Sequence, residues 1–135
     1  MKIVLDTNVL VSALLSPAGT PAKILKECLQ GRIQLCLTPE ILTEYREVCS
    51  RKKLQLNQSL VNDIFQQLEI DGAFALPAFL NVKLPDPNDL FLLEAAVGAE
   101  ADFLVTGNVK DFPATLRCGV AVVTPAEFCR TYRKL

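Results

Sequence analysis

A chain of 135 residues with 50% hydrophobic and 21% charged side chains has the composition of one domain, 1–135, able to bury about two-thirds of its unfolded surface. Its 14 basic and 15 acidic residues leave a net charge of −1, which excludes a generally basic nucleic-acid coat but not a local basic patch. It contains no His, so triads, Cys-His dyads, His-ligated zinc and imidazole bases are excluded, and chemistry falls to carboxylates, hydroxyls, Lys, Cys or a bound ion.

The chain opens on Ile3-Val4-Leu5, a continuous apolar run of the kind carried by a parallel strand buried on both faces. The run stops at Asp6, too soon for a signal peptide, and no apolar stretch reaches the roughly 18 residues that span a bilayer. A cytoplasmic location without membrane contact is expected. Val9 to Leu15 then forms a short helix more apolar than its length needs. Either it packs wholly in the core, or part of it joins the helix of Phe65 and Leu68 in a homodimer or partner surface.

Helix starts are marked by a capping residue followed by proline, at Thr20-Pro21, Thr38-Pro39, Asp86-Pro87 and Thr124-Pro125. The first of these helices runs from Pro21 to about Gln30, with Gly31 as a left-handed stop. Ile33 to Leu37 is the second strand, and the next helix runs from Pro39 past Tyr45. A further helix, from about Ser59 to Ile70, carries the apolar stripe Leu60, Ile64, Phe65 and Leu68 and ends near Gly72. Ala73 to Leu76 reads as a short extra strand. The Pro87 helix carries Phe91, Leu92, Ala95 and Ala96; Phe103-Leu104-Val105 and Val120 to Val123 are strands, and a last helix starts at Pro125. Strands alternating with helices predict an α/β/α sandwich around a mostly parallel sheet of four to five strands. The five cysteines form no C-x-x-C pair and read as small buried hydrophobes in a reducing compartment.

In such a sheet function sits at the carboxyl ends of the strands. Strand one ends at Asp6, followed by Thr7 and Asn8, and the Phe103 strand ends at Thr106, followed by Gly107, Asn108 and Asp111. Asp86 and Asp89 stand at the mouth of the preceding helix, and Glu44 lies on the inward Ile41-Glu44-Val48 face. Each has a plainer reading: Asp6 and Asp86 as helix caps, Asp89 as a first-turn charge, Glu44 as a solvated helix residue, Asp111 as a turn former. Their combination, with no Lys or Arg in the same motifs, favours a cation that offsets their repulsion. Oxygen ligands alone suit Mg²⁺ or Mn²⁺. Arg46, Arg51, Lys52 and Lys53 follow Glu44 as phosphate partners for a nucleic acid or, more plainly, as a solvated helix end. No stacking platform of exposed aromatics is visible.

Ile3-Val4-Leu5-Asp6-Thr7-Asn8-Val9, an inward Glu44, Asp86-Pro87-Asn88-Asp89 ahead of Leu92-Leu93-Glu94-Ala95-Ala96, and Ala101-Asp102-Phe103-Leu104-Val105-Thr106-Gly107-Asn108 with Asp111-Phe112 resemble the PIN-domain ribonucleases in order and spacing. The resemblance covers essentially the whole chain and is nearest to the VapC-like toxins of toxin–antitoxin pairs. It implies a PIN-like fold, metal-dependent cleavage of single-stranded RNA, and a small antitoxin protein as partner. It makes Asp6, Glu44 and Asp89 the catalytic, metal-binding carboxylates. Thr7, Asn8, Asp86 and Thr106 become orienting groups around them. Many members carry an acid where this chain has Asn108, so Asn108 or Asp111 fills the fourth ligand position. The same departure supports the alternative of an inactive PIN-fold module that binds RNA or protein. A haloacid-dehalogenase-like phosphatase is disfavoured because Asn8 breaks its D-x-D pattern.

Overall fold

The computed structural model describes residues 1–132. The strands are β1 (Lys2–Leu5), β2 (Gln34–Leu37), β3 (Ala73–Phe74), β4 (Phe103–Val105) and β5 (Val122–Val123). The helices are α1 (Thr7–Leu15), α2 (Thr20–Leu29), α3 (Pro39–Cys49), α4 (Gln58–Asp71), α5 (Leu90–Gly98) and α6 (Pro125–Thr131). The strands form one sheet in the order β3-β2-β1-β4-β5, and every pairing is parallel. This is the predicted α/β architecture at the upper strand count.

Ile3, Val4 and Leu5 are each fully buried. Successive strand side chains point to opposite faces, so both faces of β1 are covered. Helix α5 packs on β1, β2 and β4 and touches α3, whereas α2 packs with α1, α4 and α6. The central strand is thereby fixed from both sides, and whatever follows Leu5 is placed by the core.

Most helix signals act as predicted. Thr38 accepts from the Ile41 amide at 3.2 Å, and Thr124 and Glu127 form a reciprocal capping box. Gly31 has φ of +73°, the left-handed stop expected. Several boundaries shift. Helix α2 begins at Thr20 itself, capped by the backbone of Gly19 without a side-chain bond, so Thr20 is not the cap. Asn57 caps α4, and the buried stripe is Val61, Phe65 and Leu68; Leu60 is 56% exposed because it lies one position off that face. Ile33 precedes β2, Val120 precedes β5, and β3 stops at Phe74, leaving Leu76 exposed. Asp86 caps a 3₁₀ turn, Pro87–Asp89, that leads into α5 rather than α5 directly. Cys28, Cys36 and Cys49 are buried as expected, but Cys118 is exposed and Cys129 half-buried.

One close approach pins the segment after β3. A Cβ added at Gly98 would lie 2.1 Å from the Leu76 carbonyl oxygen and 2.8 Å from the Ala78 nitrogen. Both obstacles are backbone, so neither can swing aside. Gly98→Ala is expected to cost about 3 kcal/mol, read as a lowered chemical-denaturation midpoint.

Candidate active site

The ends of β1 and β4 bring the first residues together. The Asp6 amide donates to the Val105 carbonyl at 2.9 Å, extending the ladder one step beyond the strands. Asp6 is 8% exposed, and the fully buried Thr106 hydroxyl donates to its Oδ2 at 2.8 Å. The Asn108 amide donates to that same hydroxyl at 3.1 Å, so the turn after β4 orients Thr106, which orients Asp6. Oδ1 of Asp6 receives the Asn8 amide at 3.4 Å, a weak cap on α1. One carboxylate therefore serves as cap and as the buried end of a hydrogen-bond chain.

Glu44 arrives from α3. Tyr45, fully buried, donates its hydroxyl to the Leu5 carbonyl at 2.5 Å and ties α3 to the end of β1. Thr7 donates its hydroxyl to Glu44 Oε2. Glu44 is half-buried, as its helix face predicts, and lies against the first turn of α1 rather than in open water. The sequence marks Tyr45 only as part of a helix. Its anchoring role had no local signal, because its partner is 40 residues away.

Asp89, at the start of α5, has no side-chain capping bond. Its carboxyl is raised from 3.8 to about 6, first by burial and then by the negative charges of Asp6, Asp86, Asp111 and Glu44. That field shows five carboxylates crowding one end of the sheet. Asp111 is half-buried in a 3₁₀ turn, Val109–Asp111, while Asp86 is exposed and accepts from the Asn88 amide at 2.9 Å. Among the described residues no Lys or Arg forms an ion pair with any of the five. Nor do any three Asp, Glu or Cys side chains there stand close enough to hold one ion between them as they lie. The cluster fits a divalent cation in charge and donor type. Closing on it requires side-chain rotation at Glu44, Asp89 or Asp111. Asp6 is the fixed member, held by Thr106.

A folded-state carboxyl raised above its unfolded value binds its proton more tightly in the native chain. The stability this brings is full below about 3.8 and is lost as pH rises through about 6. Without divalent ions, wild type is expected to lose about 1 kcal/mol across that window, a figure reduced for the solvent screening of a partly exposed group. Asp89→Asn should flatten the dependence; urea midpoints at pH 4 and pH 7 read both. The Asp86 cap predicts a second difference. Asp86→Ala should lose about 1 kcal/mol of thermal stability and keep part of any activity, as melting and assay of the purified variant would show.

The basic cluster is only partly where the sequence reading put it. Arg46 pairs with Glu69 and lies over the Phe65 ring at 5.9 Å, so α4 engages it. Arg51 pairs with Glu47 at 3.1 Å one turn back. Of these four, only Lys52 and Lys53, exposed in the turn Lys52–Leu54, have no carboxylate partner among the described residues. They follow the far end of α3, which closes at Cys49, more than one helical turn past Glu44.

Beside Glu44, between α3 and the start of α5, lies an open cleft of about 820 Å³. Its walls include Glu40, Glu44, Glu47, Asn88, Phe91 and Glu94. Phe91, half-buried and packed on one side against the core, also lines this cleft. Glu94 Oε2 accepts from the Leu80 amide at 3.0 Å, which holds the segment after β3 against α5.

Comparison with known proteins adds two findings. The model of the family described as PIN domain matches residues 2–110, which include Asp6, Glu44, Asp86, Asp89 and Asn108 and stop one residue before Asp111. An uncharacterised protein of Methanocaldococcus jannaschii is 28% identical over 145 aligned positions, covering 99% of this chain and 93% of that one.

Proposed function

The chain belongs to the PIN-domain family, whose members are in general nucleases, and on that premise we propose that it is a Mg²⁺- or Mn²⁺-dependent endoribonuclease acting on single-stranded RNA. The observation that carries the reading is the gathering of five carboxylates at one end of the sheet, where burial first and then the neighbouring negative charges raise Asp89 to about 6, with no paired cation among the described residues. Grouped charges of one sign are destabilising, and a divalent ion is the partner that offsets them.

In this account Asp6, Glu44 and Asp89 hold the ion. Asp111 adds charge, and Asn108 offers a carbonyl oxygen. A bound ion of this kind would lower the pKa of a water and place positive charge against a phosphodiester, in a chain that has no His to act as an imidazole base. Thr106 and Thr7 hold the carboxylates of Asp6 and Glu44 through their hydroxyls. Asn8 supplies the second bond to Asp6, and Asp86 shapes the turn that presents Asp89. Of the four basic residues after Glu44, Lys52 and Lys53 are free to meet RNA phosphates, with Arg51 and Arg46 reaching them only by leaving their present partners.

The same reading makes the chain the toxin of a toxin–antitoxin pair in the cytoplasm. No helix among the described residues is long and apolar enough to cross a membrane. Val9, Leu10, Ala13, Phe65 and Leu68 are buried, so they form no partner surface. What remains open is a hollow of about 320 Å³ lined by Leu14, Leu15, Leu54, Leu56 and Leu60. A small antitoxin protein is its proposed occupant. A homodimer through the same leucines is the alternative that light scattering of the isolated chain would reveal.

The deciding experiment is cleavage of a labelled single-stranded RNA with Mn²⁺ and with EDTA. Cleavage abolished by EDTA is expected. A folded chain inert under both conditions would instead support an inactive RNA- or protein-binding module, the reading that Asn108 in place of an acid keeps open.

A further inference from the structure

We infer that the cleft between α3 and the start of α5 is a nucleobase subsite, in which Phe91 stacks an unpaired base beside the carboxylate centre and the Glu40 carboxylate favours guanine. The inference rests on the nuclease reading for its place beside the reaction, but its own geometry is separate from the metal ligands. The cleft and the acid cluster share Glu44, so whatever fills the cleft lies next to the centre. Its volume of about 820 Å³ is within the range of small-molecule sites.

The lining decides what enters. Glu40, Glu44, Glu47 and Glu94 contribute carboxylates, and no Lys or Arg lines the walls. A phosphate is repelled there; a neutral base is not. Phe91 offers an apolar ring on which any base can stack, a contact every base satisfies through its π face. Only an unpaired strand can deliver a base with its edge free.

The carboxylates of the lining favour donors on that edge. Glu47 is engaged by Arg51, Glu94 by the Leu80 amide and Glu44 by Thr7. Glu40, exposed in the first turn of α3, has no hydrogen-bond partner among the described residues. A carboxylate is an acceptor through both oxygens. Guanine presents two adjacent N–H donors on its Watson–Crick edge, whereas uracil presents one donor between two acceptors. The pairing of two acceptors with two donors therefore selects guanine and disfavours uracil.

The test uses free guanosine and free uridine with the full chain in EDTA, following the Phe91 ring protons by NMR. Neutral nucleosides need no metal and meet no phosphate repulsion. Guanosine should shift those protons upfield and bind at least about tenfold more tightly than uridine. Phe91→Leu should lose the binding, Phe91→Tyr should retain it, and Glu40→Gln should narrow the guanosine preference while keeping stacking. Equal binding of both nucleosides, or binding unaffected by Phe91→Leu in a folded variant, would overturn the subsite. Base-dependent binding in a chain that cleaves no RNA would leave the subsite standing and refute the nuclease. EDTA-sensitive cleavage without base-dependent binding would do the reverse.

Discussion

Asp6→Ala is expected to lower Mn²⁺-dependent RNA cleavage by about a thousandfold while the protein stays folded, and Asp6→Glu should be nearly as inactive. The reason is mechanical. Asp6 follows a strand that is fully buried at Ile3, Val4 and Leu5, and its carboxylate is held at 2.8 Å by a buried Thr106 hydroxyl. An added methylene drives the carboxylate off a strand that cannot yield. Glu44 and Asp89 come from helices and are less tightly enclosed, so Glu44→Asp should retain more activity than Asp6→Glu. Asp89→Ala, which removes a partly buried carboxyl at the start of α5, should be as inactive as Asp6→Ala. Single-turnover cleavage by the folded variants reads all four. An active Asp6→Ala would remove the basis of the mechanism.

Mn²⁺ at a hundred times its dissociation constant should raise the melting temperature by about 5–10 °C. The gain has two sources: binding to the native state alone, and relief of repulsion among Asp6, Glu44, Asp86, Asp89 and Asp111. Asp6→Asn separates them. The Thr106 hydroxyl can still donate to the amide oxygen, so the local fold survives, and one negative charge is gone. The variant should melt above wild type in EDTA and gain much less from Mn²⁺. Equal gains for the two proteins, followed by scanning calorimetry, would show that Asp6 is no ligand.

What could be read from the sequence depended on how local the cause was. Ile3-Val4-Leu5 announced a doubly buried parallel strand because burial on both faces leaves no alternation. Thr38 and Thr124 announced their helices because a cap acts three residues away. The acids followed from topology: parallel strands share a carboxyl edge, so Asp6 and the residues after Thr106 had to meet there. Contacts across long stretches of chain were not legible. Arg46 looked free until α4 brought Glu69 and Phe65 against it. The Tyr45 bond to Leu5, which fixes the helix bearing Glu44, has no local signature. Phe91 packs partly against the core and also lines the cleft beside α3, a hollow that no local pattern marks.

The most direct measurement of the central claim is Mn²⁺ binding followed by loss of the free-ion EPR signal, for wild type, Asp6→Asn and Asp89→Asn. Asp6, Glu44 and Asp89 acting together predict at least one bound ion in wild type and binding weakened at least about tenfold in each variant. Wild type that binds no Mn²⁺, or variants that bind it as tightly as wild type, would contradict the assignment of this acidic edge as a metal centre.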